Sequence, residues 1–256
     1  MTYSHKTRED LNVLNENLID CRLGIRWVTV CVLLALFALP ALAQQSMSFN
    51  AFKRYTSKVY DIRYTEPKGF TDMKTVAYWR LDAGWRGTVS LHSFVFQSND
   101  GNCLLMYPHF IESLFTCAPP SIEHKITTEI KALLGRTDSD GRTLAGDIDF
   151  DKYVEIASAE EARRCFNADS VYVAHLPLRE AYEGRYEHCI GVYVGKKDRP
   201  RLYFKLLLTK EGMMHEKRYF RELCNSVSYR NDNWVYNEEM DKKARIDIVY
   251  KDHYKK

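Results

Sequence analysis

The sequence predicts an α+β fold, a mainly antiparallel sheet covered by helices and preceded by an N-terminal hydrophobic export segment. Three observations carry this reading. Residues 27–43 form an uncharged apolar run with arginines at its entry. Several period-two segments return on themselves through short polar turns. Capped helical patterns stand between groups of strands, without the regular strand–helix alternation of a parallel doubly wound sheet. The composition, 45% hydrophobic, 13% aromatic and 28% charged, supplies a core and excludes a disordered or collagen-like chain. Seventeen Tyr and twelve Phe favour sheet, since aromatic rings suit a pleated, half-buried surface.

Trp27 to Ala43 reads WVTVCVLLALFALPALA. Arg22 and Arg26 precede it, Pro40 bends its end, and Ala41-Leu42-Ala43 sets small residues at −3 and −1 of a cut before Gln44. A charged flank, an apolar centre and a small-residue exit describe a secretory signal. Seventeen residues also reach the lower bound for a spanning helix, so an uncleaved signal anchor stays open, with membrane contact through residues 27–43. The long polar stretch before it is either a cytoplasmic tail or upstream of the true start. Both place the basic flank inside and the remainder outside. Cys31 lies within the apolar run and lacks the small residue before it that a lipid-modified cysteine needs. The expected location is the periplasm or cell envelope.

Residues 44–54 are polar and helix-compatible. Lys58 to Tyr64 alternates Tyr60, Ile62 and Tyr64 against Val59, Asp61 and Arg63, predicting a strand that Pro67 and Gly69 end. Thr88–Gln97 and Cys103–Tyr107 flank Ser98-Asn99-Asp100-Gly101-Asn102 as a hairpin. Ser121 caps a helix running to Leu134, which Gly135 ends. A polar, Asp-rich loop follows over 136–151, then a short strand from Tyr153 to Ile156. Ser158 and Glu161 form a capping box for a helix ending near Phe166 and Asn167. Ser170–His175 is the next strand. Tyr186–Val194 and Arg201–Thr209 form an antiparallel pair, and Thr209 caps a helix with apolar positions at Met213, Phe220, Leu223, Cys224 and Val227. An aromatic strand from Ser228 to Tyr236 closes the domain. Ala244 to Tyr250 alternates and predicts one more strand, at a charged edge. The expected organisation is therefore a signal peptide or anchor over 1–43, one domain over 44–236 and a charged strand or tail over 237–256.

Charge narrows the partner class. Lys and Arg total 37 against 34 Asp and Glu, a formal +3, with the signs interspersed. A nucleic-acid binder concentrates its basic residues on one face, so no nucleic acid is expected. The partner expected is an envelope protein or a small ligand. Trp79 and Trp85 flank the Gly-containing loop Asp82-Ala83-Gly84 and are the candidate ligand contacts, because aromatic side chains dominate binding hot spots.

Chemistry has few handholds. Cys103, Cys117, Cys165, Cys189 and Cys224 follow the export segment, allow at most two disulfides, and show no C-x-x-C spacing. Cys165 and Cys224 fall on apolar helix faces. His188 adjoins Cys189, but neighbours on a strand point to opposite faces, which rules out a local dyad. Asp138, Asp140 and Asp147 are the candidate calcium ligands: Asp138-Ser139-Asp140-Gly141 resembles the opening of a calcium loop, and carboxylates around a Gly turn suit a hard cation. The full EF-hand spacing is missing, which leaves a solvated loop as the competing reading and no cofactor as the expectation. Walker, dinucleotide, zinc-protease and nucleophile-elbow motifs are absent from the sequence.

Two resemblances follow from these residues. Val59-Tyr60-Asp61-Ile62-Arg63-Tyr64 with Pro67-Lys68-Gly69-Phe70 resembles the first strand and turn of Mog1/PsbP-like domains, and the late hairpin, capped helix and closing strand are similar in order to the end of that fold. That resemblance implies a sheet between helices serving as a binding or assembly module. Ala159 to Leu178 is similar to a group of uncharacterised exported proteins of Gram-negative gut anaerobes. The function expected is thus a non-enzymatic, envelope-associated binding or assembly module. The alternative is a thiol or hydrolytic enzyme whose site is assembled only by the fold.

Overall fold

Local chemistry decides where each element begins. The computed structural model describes residues 47–80, 89–108, 121–136 and 146–253, with backbone alone at 78–80, 89–91 and 253. Helix α1 spans Phe49–Val59 and starts at Ser48, whose hydroxyl accepts from the Ala51 amide. Phe49, Phe52, Tyr55, Thr56 and Val59 recur at helical spacing and are all buried. This corrects the strand expected from Lys58. Only Ile62–Tyr64 is extended, as β1. The period-two pattern began inside the last turn of a helix whose own 3.6-residue pattern overrides it. Asp61 makes the switch with a left-handed φ of 52°. Its carboxylate accepts from the Asn231 amide at 2.9 Å and from Arg230 Nε at 3.0 Å, which offsets the strain.

Strands β2 (Phe70–Asp72), β3 (Ala77–Arg80), β4 (Val89–Ser98) and β5 (Cys103–Pro108) follow. Helix α2 is Ile122–Leu133, capped by Ser121 as expected, with Gly135 left-handed just past its end. Strand β6 (Val154–Ile156) leads into α3 (Ala159–Phe166). Both halves of the Ser158–Glu161 capping box form, and Asn167 closes the helix in the left-handed region. Strands β7 (Ser170–Leu176), β8 (His188–Gly195) and β9 (Leu202–Leu208) complete the main sheet.

The described strands form an eight-stranded sheet in the order β2-β4-β5-β9-β8-β7-β6, with β3 also on β4, and every pairing is antiparallel. The chain is therefore α+β with a large antiparallel sheet. The expected hairpins are present: Gln97 opposes Leu104 across the first, and Val194 opposes Leu202 across the second.

The helix expected after Thr209 divides into α4 (Lys210–Met213) and α5 (Glu216–Ser226). The Thr209 amide donates to the Asn102 carbonyl, so α4 is tied to the first hairpin turn. A Cβ on Gly212 would lie 2.3 Å from that carbonyl oxygen, which admits glycine alone without movement. The closing strand shortens to β10 (Val227–Tyr229), which pairs with β1 as a separate two-stranded sheet.

Residues 238–253 are helical, which corrects the strand expected from Ala244 to Tyr250. Asn237 caps α6 (Glu238–Ala244), a π-helical segment covers Arg245–Tyr250, and α7 is Lys251–His253. Alternation over seven residues lost to helical pairing. Ala244 and Ile248 face the core one turn apart, and Glu238–Lys242, Asp241–Arg245 and Asp247–Lys251 pair at i,i+4.

Two cores flank the sheet. On one face α1 packs Phe49 and Phe52 on Phe94 and Phe96, joined by α3, α5 and the C-terminal helix. On the other, α2 lays Ile122, Ile126 and Ile130 over Val95, Leu104, Met106 and Leu207. Among the described residues, no helix is long and apolar enough to cross a membrane.

Candidate functional site

The second face carries charge at its centre. Strand β9 reads LYFKLLL, and its Lys205 side chain, alone among apolar neighbours, turns toward α2. There Lys205 Nζ lies 2.5 Å from Glu129 Oε1 and donates to the Tyr193 hydroxyl at 2.7 Å. Tyr193 in turn donates to Glu129 Oε2 at 2.5 Å. All three are almost fully buried. Burial works to raise the Glu129 carboxyl, but the Lys205 ammonium and the Tyr193 hydroxyl outweigh it and hold it below the usual range. Burial first, then the Glu129 charge, pushes the Tyr193 phenol well up. Gly191 makes room for this arrangement, since a Cβ there would meet Tyr193 Cε2 at 2.6 Å.

His92 sits on the same side of β4, near a bulge between His92 and Phe94. It is 2% exposed, and neither ring nitrogen has a well-formed hydrogen bond among the described residues. Burial, aided by the Lys205 and Lys125 charges, pulls its pKa down to about 3. The imidazole is therefore neutral at ordinary pH. Buried together, Lys205, Glu129 and Tyr193 tie α2 to strands β8 and β9.

An accessible concavity lies on the first face, at the β6 edge of the sheet. It encloses about 330 Å³ between β6, α3, β7 and α5. Phe166, Val171, Val173 and Phe220 line its apolar part, while Glu161, Arg164, Glu216 and Lys217 supply both signs of charge. Ile156 borders it with 60% of its surface exposed, on the terminal strand of the sheet. Cys165 contributes a thiol to the wall. The Ser158 cap fixes the first turn of α3, and Phe166, fully buried, fixes its end. Arg164 and Cys165 are thus held at the opening by both ends of one short helix.

Of the tryptophans and aspartates expected to bind a ligand or calcium, the described residues include only Trp79, by its backbone, and Asp147. Trp79 pairs through its backbone with Ser90 in the β3–β4 ladder. Trp85, Asp138 and Asp140 lie outside the described residues. Asp147 is exposed, and its carbonyl accepts from the Arg136 guanidinium. Among the described residues no three metal-ligating side chains come together. Trp234, half-buried, donates from Nε1 to the Val59 carbonyl at 3.0 Å and packs on Tyr60, so it closes the end of α1.

The four described thiols separate into two kinds. Cys103 and Cys189 are buried in opposite cores, and burial pushes the first well above the usual thiol range and the second up to about 12. Cys165 and Cys224 are partly exposed. The sequence signal for the buried pair was Lys205 inside an apolar strand and Glu129 on the apolar stripe of α2. The signal for the groove was weaker, because its walls come from segments some 60 residues apart. No family model, curated protein or solved structure matches the chain.

Proposed function

We propose that this protein is an exported, envelope-associated binding or assembly module, and that the groove at the β6 edge is where its partner sits. One observation carries the binding reading: exposed Ile156, half-buried Phe220 and the charges of Arg164 and Lys217 converge on one concavity at the terminal strand of the sheet. Apolar contact with a few placed polar groups is the usual make-up of a ligand site. The uncharged run at 27–43, with its arginine flank and Ala41-Leu42-Ala43 exit, supports the export reading. Thiol catalysis draws no support from Cys103 or Cys189, whose burial disfavours the nucleophilic thiolate.

Photo-crosslinking tests the binding reading. A photoreactive residue placed at Ile156 or Phe220 of the full chain gives one discrete adduct, and Arg164→Glu reduces its yield at least fivefold. The same residue placed at Tyr250, exposed on the C-terminal helix, serves as the control. Equal adduct patterns from the groove and from Tyr250 overturn the proposal.

A further inference from the structure

Helices α3 and α5 meet on the first face of the sheet, and each brings one cysteine to the seam. Phe166 at the end of α3 meets Phe220 of α5 edge-on, with ring centroids 6.3 Å apart. Cys165 precedes Phe166, and Cys224 stands one helical turn beyond Phe220, on the same side of its helix. Both pack at the margin of the same apolar core, and their thiols lie close enough to interact directly. Cys103 and Cys189 have no such relation, since the sheet separates them. Cys165 lines the groove, and both thiols are partly exposed.

We propose that Cys165 and Cys224 are a disulfide site, oxidised through the groove, that locks α3 to α5. The oxidant is an external disulfide, either the active-site disulfide of a thiol oxidoreductase or oxidised glutathione. The Cys165 thiolate attacks one of its sulfurs, forming a mixed disulfide and releasing one thiol. Cys224, after losing its proton, attacks the Cys165 sulfur and displaces the second thiol. Two protein thiols are oxidised to one S–S bond, one external disulfide is reduced to two thiols, and the protons end on the leaving sulfurs. The Phe166–Phe220 contact holds the two helices together beside the thiols. The site is independent of whether the groove binds a partner. It fits the oxidising side of a membrane, where such pairs persist.

Peptide mapping of the full chain decides the matter. After incubation with oxidised glutathione and blocking of free thiols, trypsin releases Cys165–Arg179 and Glu222–Arg230. These peptides are expected joined, at a mass about 2 Da below their sum, and separate after reduction. The oxidised chain melts about 5 °C higher than the reduced one, because a loop of about 60 residues is closed. Cys165→Ser and Cys224→Ser each abolish the joined peptide and the melting shift. If either variant fails to fold, the wild-type map still decides. Free Cys165 and Cys224 in folded, glutathione-treated protein, or linkage of either to Cys103 or Cys189 instead, overturn the proposal.

Discussion

Two side chains on the α2 face of the sheet set much of the local energetics. Lys205 and Glu129 are each almost fully buried, so removing one leaves the other charge unpaired in a poor solvent. Lys205→Met is expected to cost about 3–5 kcal/mol in urea unfolding. The double variant Lys205→Met with Glu129→Leu costs markedly less, because two apolar side chains need no partner. Equal losses from the single and double variants would refute a coupled pair. His92 has a separate signature in pH. Its folded pKa is about 3, against 6.5 for the free side chain. Above 6.5 neither state binds the proton, so stability is flat with respect to this group. Between 6.5 and 3 only the unfolded state binds it, and stability falls by about 1.4 kcal/mol per pH unit. His92→Phe therefore removes about 2 kcal/mol of the stability lost between pH 7 and pH 5, as read from unfolding midpoints at each pH.

Helix ends and helix docking govern the next level. Ser158 and Glu161 close the first turn of α3 reciprocally, and Ser158→Ala is expected to cost about 1 kcal/mol. The same change loosens the groove wall at Arg164 and Cys165, so hydrogen exchange over 159–166 rises along with it. The C-terminal helix docks through one buried carboxylate. Asp241 accepts from Tyr55 at 2.6 Å, from Tyr236 at 2.7 Å and from Arg245 at 2.9 Å. Further on, Asp252 accepts from the Ser48 amide at 2.7 Å, tying the end of the chain to the start of α1. Asp241→Ala removes the shared buried acceptor of Tyr55, Tyr236 and Arg245, with an expected loss of about 2–4 kcal/mol. Denaturant midpoints check this, and a loss under 0.5 kcal/mol would mean that the helix is not anchored there.

For the molecule as a whole, sidedness and partner are tested together. Fractionation followed by mass spectrometry of the amino terminus tests export. The mature chain is expected in the envelope fraction, starting at Gln44 if cleaved or membrane-retained and intact if anchored. An intact, freely soluble chain in the cytosol would remove the export reading. The groove lies on the described domain and faces whichever compartment that domain occupies, so fractionation and crosslinking together locate and test the partner.

Elements with strong local signals were legible in the sequence: the capped helices at Ser121 and Ser158, both hairpins, the left-handed end at Gly135, and hence an α+β fold with an antiparallel sheet. Their determinants lie within a few residues of one another, so neighbouring chemistry decides them. Other features depended on tertiary contact. Lys58 and Val59 joined a helix because Val59 continues an apolar stripe that packs on the sheet. Residues 238–253 became helical because Ala244 and Ile248 could be buried together, Asp241 met Tyr55 of α1, and Asp252 met Ser48 at the start of that helix. The Lys205–Glu129 pair, the groove and the Cys165–Cys224 seam unite residues from separate elements. Only the folded chain makes such residues neighbours, because burial and electrostatics act on distance through space, and a linear pattern does not encode that distance.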